Sequence, residues 1–229
     1  MAAPGASETI IVVTGGDPVD HQHLDGIERE AFVIAADSGI EHAHSLGLHI
    51  DLCVGDFDSV SAEGLRRAVE AGARVERHPS AKDATDLELA LDAAMSRSPR
   101  RIHVLGGDGG RLDHLLANAA LIASPRFSDV ELLAHMGGAL ITVVRTEAEL
   151  RGRAGDFVSL VPVHGTALGV TTEGLRYPLR DEPLEAGTSR GVSNELLDES
   201  AHVSVRGGVL LVVQPDHTAT INQERNPKS

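Results

Sequence analysis

Five aspartates of this 229-residue chain stand where their type and spacing could do chemistry. Asp37 follows the apolar run Phe32 to Ala36. Asp56 and Asp58 follow Leu52 to Val54 in Gly55-Asp-Phe-Asp-Ser59, and Asp83 and Asp86 open a helical stretch. If the apolar runs are strands of one α/β sheet, their ends on one side form the ligand crevice, and acids from three places converge there. Carboxylates gathered without compensation repel one another. A hard cation such as Mg²⁺ relieves the repulsion and can bridge carboxylates to phosphate oxygens, which points to phosphoryl or nucleotidyl transfer. Taken singly, an Asp is explained equally well as a turn former or a cap. Thr85-x-x-Glu88 is a capping box in which Asp86 would only complement the helix dipole. The doubled Gly-Asp-x-Asp turn puts two charges where one cap would suffice.

A second constellation is Gly106-Gly-Asp-Gly-Gly-Arg111. Between a strand and a helix, small residues let backbone N–H groups approach an anion, and the helix N-terminus adds its dipole. It matches neither the Walker phosphate loop nor the dinucleotide fingerprint, and a plain turn accounts for it as well. The continuation sharpens it: Arg111, His114 and Asn118 form one polar helix stripe opposite Leu112, Leu115, Leu116 and Ala119. Arg111 could clamp phosphate bidentately, and Lys82 offers a point charge. The twelve histidines include no His-Glu-x-x-His and there is no Cys pair, so a zinc site is not expected. Cys53, the one cysteine, sits in an apolar run and reads as a buried strand residue.

Positioning these residues requires strands at Thr9 to Val13, Phe32 to Ala36, Leu52 to Val54, Ile102 to Leu105 and Val130 to Leu133. Helices are expected at Ile40 to Leu46, Ala62 to Ala71, Asp86 to Met95 and Leu112 to Ile122. Strand–helix alternation predicts an α/β domain at 1–140 with a largely parallel sheet and helices on both faces. Beyond it, short apolar runs broken by Gly, Pro or charged turns predict a small all-β sandwich at 141–229. Lys plus Arg is 20 against 34 for Asp plus Glu, a formal charge of -14. That balance excludes broad neutralisation of nucleic-acid phosphates or anionic membrane surfaces. Five aromatic rings (one Tyr and four Phe) argue against stacked nucleic-acid platforms. With no membrane-length apolar run and no signal-like N-terminus, a cytoplasmic location is expected.

In order and spacing, six segments resemble the thiamine pyrophosphokinase family. They are Ala36-Asp-Ser-Gly39, Asp51 through Ser59, Lys82-Asp-Ala-Thr-Asp86 with Leu87-Glu-Leu-Ala90, Gly109-Gly-Arg-Leu-Asp-His114 with Asn118, Gly174-Leu-Arg-Tyr-Pro-Leu179 and Gly191-Val-Ser-Asn-Glu-Leu196. The resemblance implies transfer of a pyrophosphoryl group from ATP to the hydroxyl of thiamine, with AMP released, by a homodimer whose active sites lie between subunits. Asp37, Asp56, Asp58 and Asp86 would hold Mg²⁺. Asp37, Ser38, Lys82, Asp83, Arg111 and His114 would face ATP, with Asp113 on the thiamine side and Ser193 and Asn194 bonding the aminopyrimidine. Asp56, Asp58, Asp86 and Asp113 are the catalytic candidates; Asp86 and Asp113 both remain open as acceptor of the hydroxyl proton. Ser38 replaces a common Gly, and no Trp covers the thiamine ring, a place Tyr177 could take if it faces the cleft. The alternatives are another hydroxymethyl heterocycle as acceptor, such as a pterin, or a nucleotide-binding protein without transfer.

Overall fold

The computed structural model describes residues 9–28, 30–81 and 83–216, so Lys82 lies outside the described residues. Two compact units emerge: 1–121 with 129–137, and 122–128 with 138–229. The sequence places one boundary at 140; the structure divides at 137/138 and also gives 122–128 to the second unit.

In the first unit the β-branched and apolar runs become β1 (Thr9–Val13), β2 (Phe32–Ala36), β3 (Leu52–Gly55), β4 (Arg74–Arg77), β5 (Arg101–Leu105) and β6 (Glu131–Met136). They pair in parallel in the order β4-β3-β2-β1-β5-β6. The direction of progression reverses between β1 and β5, the switch point at which an open parallel sheet leaves a crevice beyond its strand ends. Helices α1 (Gly39–Ser45), α2 (Ala62–Glu70), α3 (Asp86–Met95) and α4 (Leu112–Ile122) follow strands. Ile11, Val13, Val33, Ala35 and Cys53 pack with Ile40 and Ala43 of α1 and Ala68 of α2. Their alternate neighbours Ile10, Val12, Ile34 and Val54 are buried as well, and α3 packs against β1, β2 and β3. Burial pushes the Cys53 thiol up to about 11, which suits a packed, unreactive strand residue.

The second unit holds β7 (Ala139–Val144), β8 (Glu147–Arg151), β9 (Phe157–Glu173), β10 (Glu182–Leu184), β11 (Asn194–Glu195), β12 (Ser200–Ser204) and β13 (Gly207–Pro215). Every pairing among these is antiparallel. The stretch Phe157–Glu173 is one 17-residue strand. Its first part pairs with β13, which pairs with β7, and its last part pairs with β12, which pairs with β8. Both ladders contribute to one core, with Leu160 and Leu210 from one and Leu150, Val170 and Val203 from the other.

Over the described residues the strand pairing is therefore mixed rather than largely parallel, with parallel pairs in the first unit and antiparallel pairs in the second. The parallel pattern is confined to the strands joined by helical crossovers. The later short connections are long enough only for antiparallel neighbours. Among the described residues no helix is long and apolar enough to cross a membrane.

Candidate active site

Asp37 is held just past β2 by its own N–H, which donates to the Val54 carbonyl at 2.9 Å. The backbone there turns left-handed, with φ at +44°. That turn, rare for a residue with a Cβ, leaves Asp37 only 7% exposed at the sheet edge. Gly55 ends β3 with φ at +145°, and a Cβ there would sit 3.2 Å from Asp86 Oδ1 and 3.3 Å from Asp37 Cβ. Phe57 is also left-handed, at +63°, and turns the chain sharply between Asp56 and Asp58. Asp86 arrives from the first turn of α3, whose cap is Thr85, its Oγ1 accepting from the Glu88 N–H at 3.2 Å. The capping role expected of Thr85 and the convergence expected of Asp86 therefore coexist.

One carboxylate oxygen from each of Asp37, Asp56 and Asp86 lies within 4.8 Å of the other two. Burial, and then the charge of Asp86, push the Asp37 carboxyl above its ordinary range. Its Oδ1 is buried and receives no hydrogen bond. An all-oxygen donor set, a buried carboxylate oxygen without a donor and a glycine that leaves the space open all fit a hard divalent cation such as Mg²⁺. Asp58 lines the same cleft but stands outside the mutually close trio. It is exposed, accepts from Ser59 Oγ at 2.8 Å, and its N–H donates to Asp56 Oδ1 at 3.2 Å.

The cleft around the trio has a volume of about 400 Å³ and takes in Ser38, Gly107, Arg111, His114 and Asn118. A larger cavity of about 1100 Å³ opens between residues 24–33 and 46–51, where β2 and β3 begin rather than end, and contains none of the acid trio. The chemistry belongs to the smaller space, where charged groups converge.

The glycine loops after β1 and β5 meet over this cleft so closely that Gly15, Gly16, Gly106 and Gly109 have no room for a side chain. A Cβ on Gly16 would overlap the Asp108 carbonyl, and one on Gly15 would overlap Ser38 Oγ. The Gly107 N–H donates to the Gly15 carbonyl at 2.8 Å, and Asn118 Nδ2 donates to the Gly107 carbonyl at 2.8 Å. Sequence reasoning missed Gly15 and Gly16 as site residues; the signal was a Gly-Gly pair directly after the first strand. The polar stripe of Arg111, His114 and Asn118 does border the cleft, with Asn118 buried, while Leu112 and Leu116, placed on the opposing apolar side, are exposed.

Other expected site residues stand apart. Asp83 is exposed and does not line the cleft, and neither does Asp113. Arg111 pairs with Asp113 at 2.6 Å on the surface and holds that carboxyl well below the usual carboxylate range. Ser193 and Asn194 belong to the second unit. Ser193 is left-handed at φ +58°, and its N–H donates to Ser159 Oγ. Asn194 is 4% exposed and its amide is committed: Oδ1 accepts from the N–H groups of Tyr177 and Glu195, and Nδ2 donates to the Tyr177 carbonyl. Asn194 and the exposed Tyr177 border a cavity of about 320 Å³ with Arg190 and Val192.

Comparison with known proteins agrees along the chain. Residues 25–134 match the family model of the thiamin pyrophosphokinase catalytic domain, and 141–210 match that of the thiamin pyrophosphokinase vitamin B1 binding domain. The thiamine pyrophosphokinase of Bacillus subtilis (strain 168) is 28% identical over 210 residues, covering 90% of this chain and 98% of that protein. A crystal structure of the Bacillus subtilis thiamine pyrophosphokinase superimposes with a TM-score of 0.79 at 27% identity, covering 91% of this chain and 99% of that one. The thiamin pyrophosphokinase of Geobacillus thermodenitrificans gives 0.76 at 28% identity, covering 92% and 99%. With both domain models matched in order and the acid trio at the strand ends, the chain belongs to the thiamin pyrophosphokinase family.

Proposed function

We propose that this chain transfers the pyrophosphoryl group of ATP to the hydroxyl of thiamine, giving thiamine diphosphate and AMP, in the cleft at the ends of β2 and β3. The convergence of Asp37, Asp56 and Asp86 carries this reading. Those three would hold Mg²⁺, with Asp58 beside them in the cleft. When bound, the ion supplies neutralisation of the triphosphate oxygens. The transfer needs alignment and charge compensation more than a covalent nucleophile. Arg111 serves it as a movable clamp: its pairing with Asp113 is solvent-exposed, such pairs are worth little, and phosphate can take Asp113's place. Ser38 and His114 border the same space and would face ATP, with Lys82 and Asp83 at its margin. Asp86, which lines the cleft, and Asp113, freed when Arg111 turns to phosphate, are the two candidate acceptors of the hydroxyl proton.

The second unit would bind thiamine. Its reading as a sandwich is supported by the core that both ladders share. Ser193 is the member of its expected pair with an exposed side chain, and Asn194 would act by fixing Tyr177. The reading includes a cytoplasmic homodimer with active sites between subunits. The solvent-facing Leu112 and Leu116 on α4, beside Arg111, suit a second copy. Nothing in the structure favours a pterin acceptor or a protein without transfer. Incubation with ATP, Mg²⁺ and either thiamine or a pterin alcohol tests the reading. AMP and thiamine diphosphate should appear in equal amounts, and release of ADP, or turnover of the pterin alone, would refute it.

A further inference from the structure

We infer that Arg77 is a positioning residue for the acid site, setting the direction of Asp56 through the backbone of the turn that carries it. The inference rests on the assignment of Asp56 to the cation and ATP site. Arg77 is the last residue of the edge strand β4, in register with Gly55 of β3. Its Nη1 donates to the Asp56 carbonyl at 2.6 Å, and its guanidinium lies 4.8 Å from the centre of the Phe57 ring. The neighbouring His78 N–H donates to the Gly55 carbonyl at 2.9 Å. Three consecutive residues of the acid turn are thus gripped from one strand end.

The turn needs such a grip. Gly55 and Phe57 both have positive φ, at +145° and +63°, and Phe57 pays steric strain for it. Released, Phe57 would relax toward negative φ, and the carboxylate before it would swing away from Asp37 and Asp86. A planar guanidinium can donate in its plane to a carbonyl while stacking its face on a ring. An ammonium on a flexible stem cannot do both. Groups that orient a ligand without touching the ion typically change metal affinity by about 10- to 100-fold when removed.

The test compares full-length wild type with Arg77→Met, Arg77→Lys and Asp56→Asn. Mn²⁺ affinity is read by electron paramagnetic resonance titration, alongside KM for Mg·ATP, KM for thiamine and melting temperature. Arg77→Met should weaken Mn²⁺ binding about tenfold and raise the Mg·ATP KM in parallel. It should leave the thiamine KM unchanged and shift melting by no more than ~2 °C. Arg77→Lys should recover only a minor part of the loss. Full recovery by Lys would show that charge alone matters and would overturn the positioning role. So would unchanged Mn²⁺ binding in Arg77→Met, or a general loss in which melting and both KM values worsen together. Asp56→Asn separates the two levels: if it binds Mn²⁺ like wild type, the acid site itself is wrong and Arg77 falls with it. If it loses the ion while Arg77→Met does not, only the role of Arg77 is lost.

Discussion

Asn194 shows what a side chain's neighbours add to its identity. As a residue type, beside Ser193 in a family-like segment, it reads as a donor to a bound ring. In the fold its Oδ1 accepts from the N–H groups of Tyr177 and Glu195 and one of its two amide hydrogens goes to the carbonyl of Tyr177, 17 positions away in sequence. Asn194→Ala should therefore cost about 2 kcal/mol of stability, measurable by urea denaturation, because backbone groups lose their partners. Thiamine affinity should fall only as Tyr177 loosens. A variant as stable as wild type with a raised thiamine KM would restore the direct-contact reading. The acids were more legible, because Asp37 and Asp56 follow apolar runs whose strand direction fixes where they point, and Asp86 opens a helix. Asp58 was not separable from Asp56 on paper; the left-handed Phe57 between them sends the second carboxylate out of the trio.

Among the elements, α4 was recognised and its polar stripe does border the cleft, but its apolar side stays open. Its periodicity defines two faces, but the inward one is chosen by what waits there: the Gly107 carbonyl draws Asn118 in and leaves Leu112 and Leu116 to solvent. Strand β4 was hard to read for a different reason. All four of its residues are exposed, Val75 being its lone apolar member, so it has no apolar alternation to betray it. The end of β3 makes a sharper claim. Gly55→Ala would be strained at φ +145° and would push its methyl toward Asp86 Oδ1 and Asp37. It should lower the melting temperature by several degrees and weaken Mg·ATP binding at least tenfold. Calorimetry with Mg·ATP checks the second effect, and retained affinity would show that the acids tolerate a wider spacing.

At the scale of the whole molecule, acid tolerance is limited by histidines that have no place for a proton. His103, buried, and His135, half-buried, sit on neighbouring β5 and β6, and desolvation holds both at about 4, below the ordinary 6.5. His23 stacks on His135 with ring centres 4.6 Å apart, and its charge and that of His103 add to the shift. Arg101 also lowers His103, while Glu131 and Glu28 oppose it weakly. The unfolded chain takes up these protons first, so stability is complete above about pH 6.5 and is lost as pH falls toward 4. His135→Phe keeps a ring for the stack and removes one proton site. It should melt higher than wild type at pH 5 and about the same at pH 8; parallel pH profiles would refute the cause. The distribution of helices and strands between the halves was readable from strand–helix alternation, but the 17-residue length of β9 was not, since Pro162, Gly165 and Gly169 interrupt its apolar pattern.

The short stretch 122–128 belongs to the second unit although residues on either side belong to the first, so the polypeptide passes between the two three times. No single cut can release either half intact. A fragment ending at residue 140 would carry away Ile122, Ala123 and Phe127, all buried in the complete molecule, and leave their hydrophobic side chains uncovered. Expressed alone, such a piece should aggregate, whereas coexpressing 1–140 with 141–229 should recover soluble protein by reassembly. For gene fusion and splitting, a cut at 140 divides the residues of the second unit between two fragments.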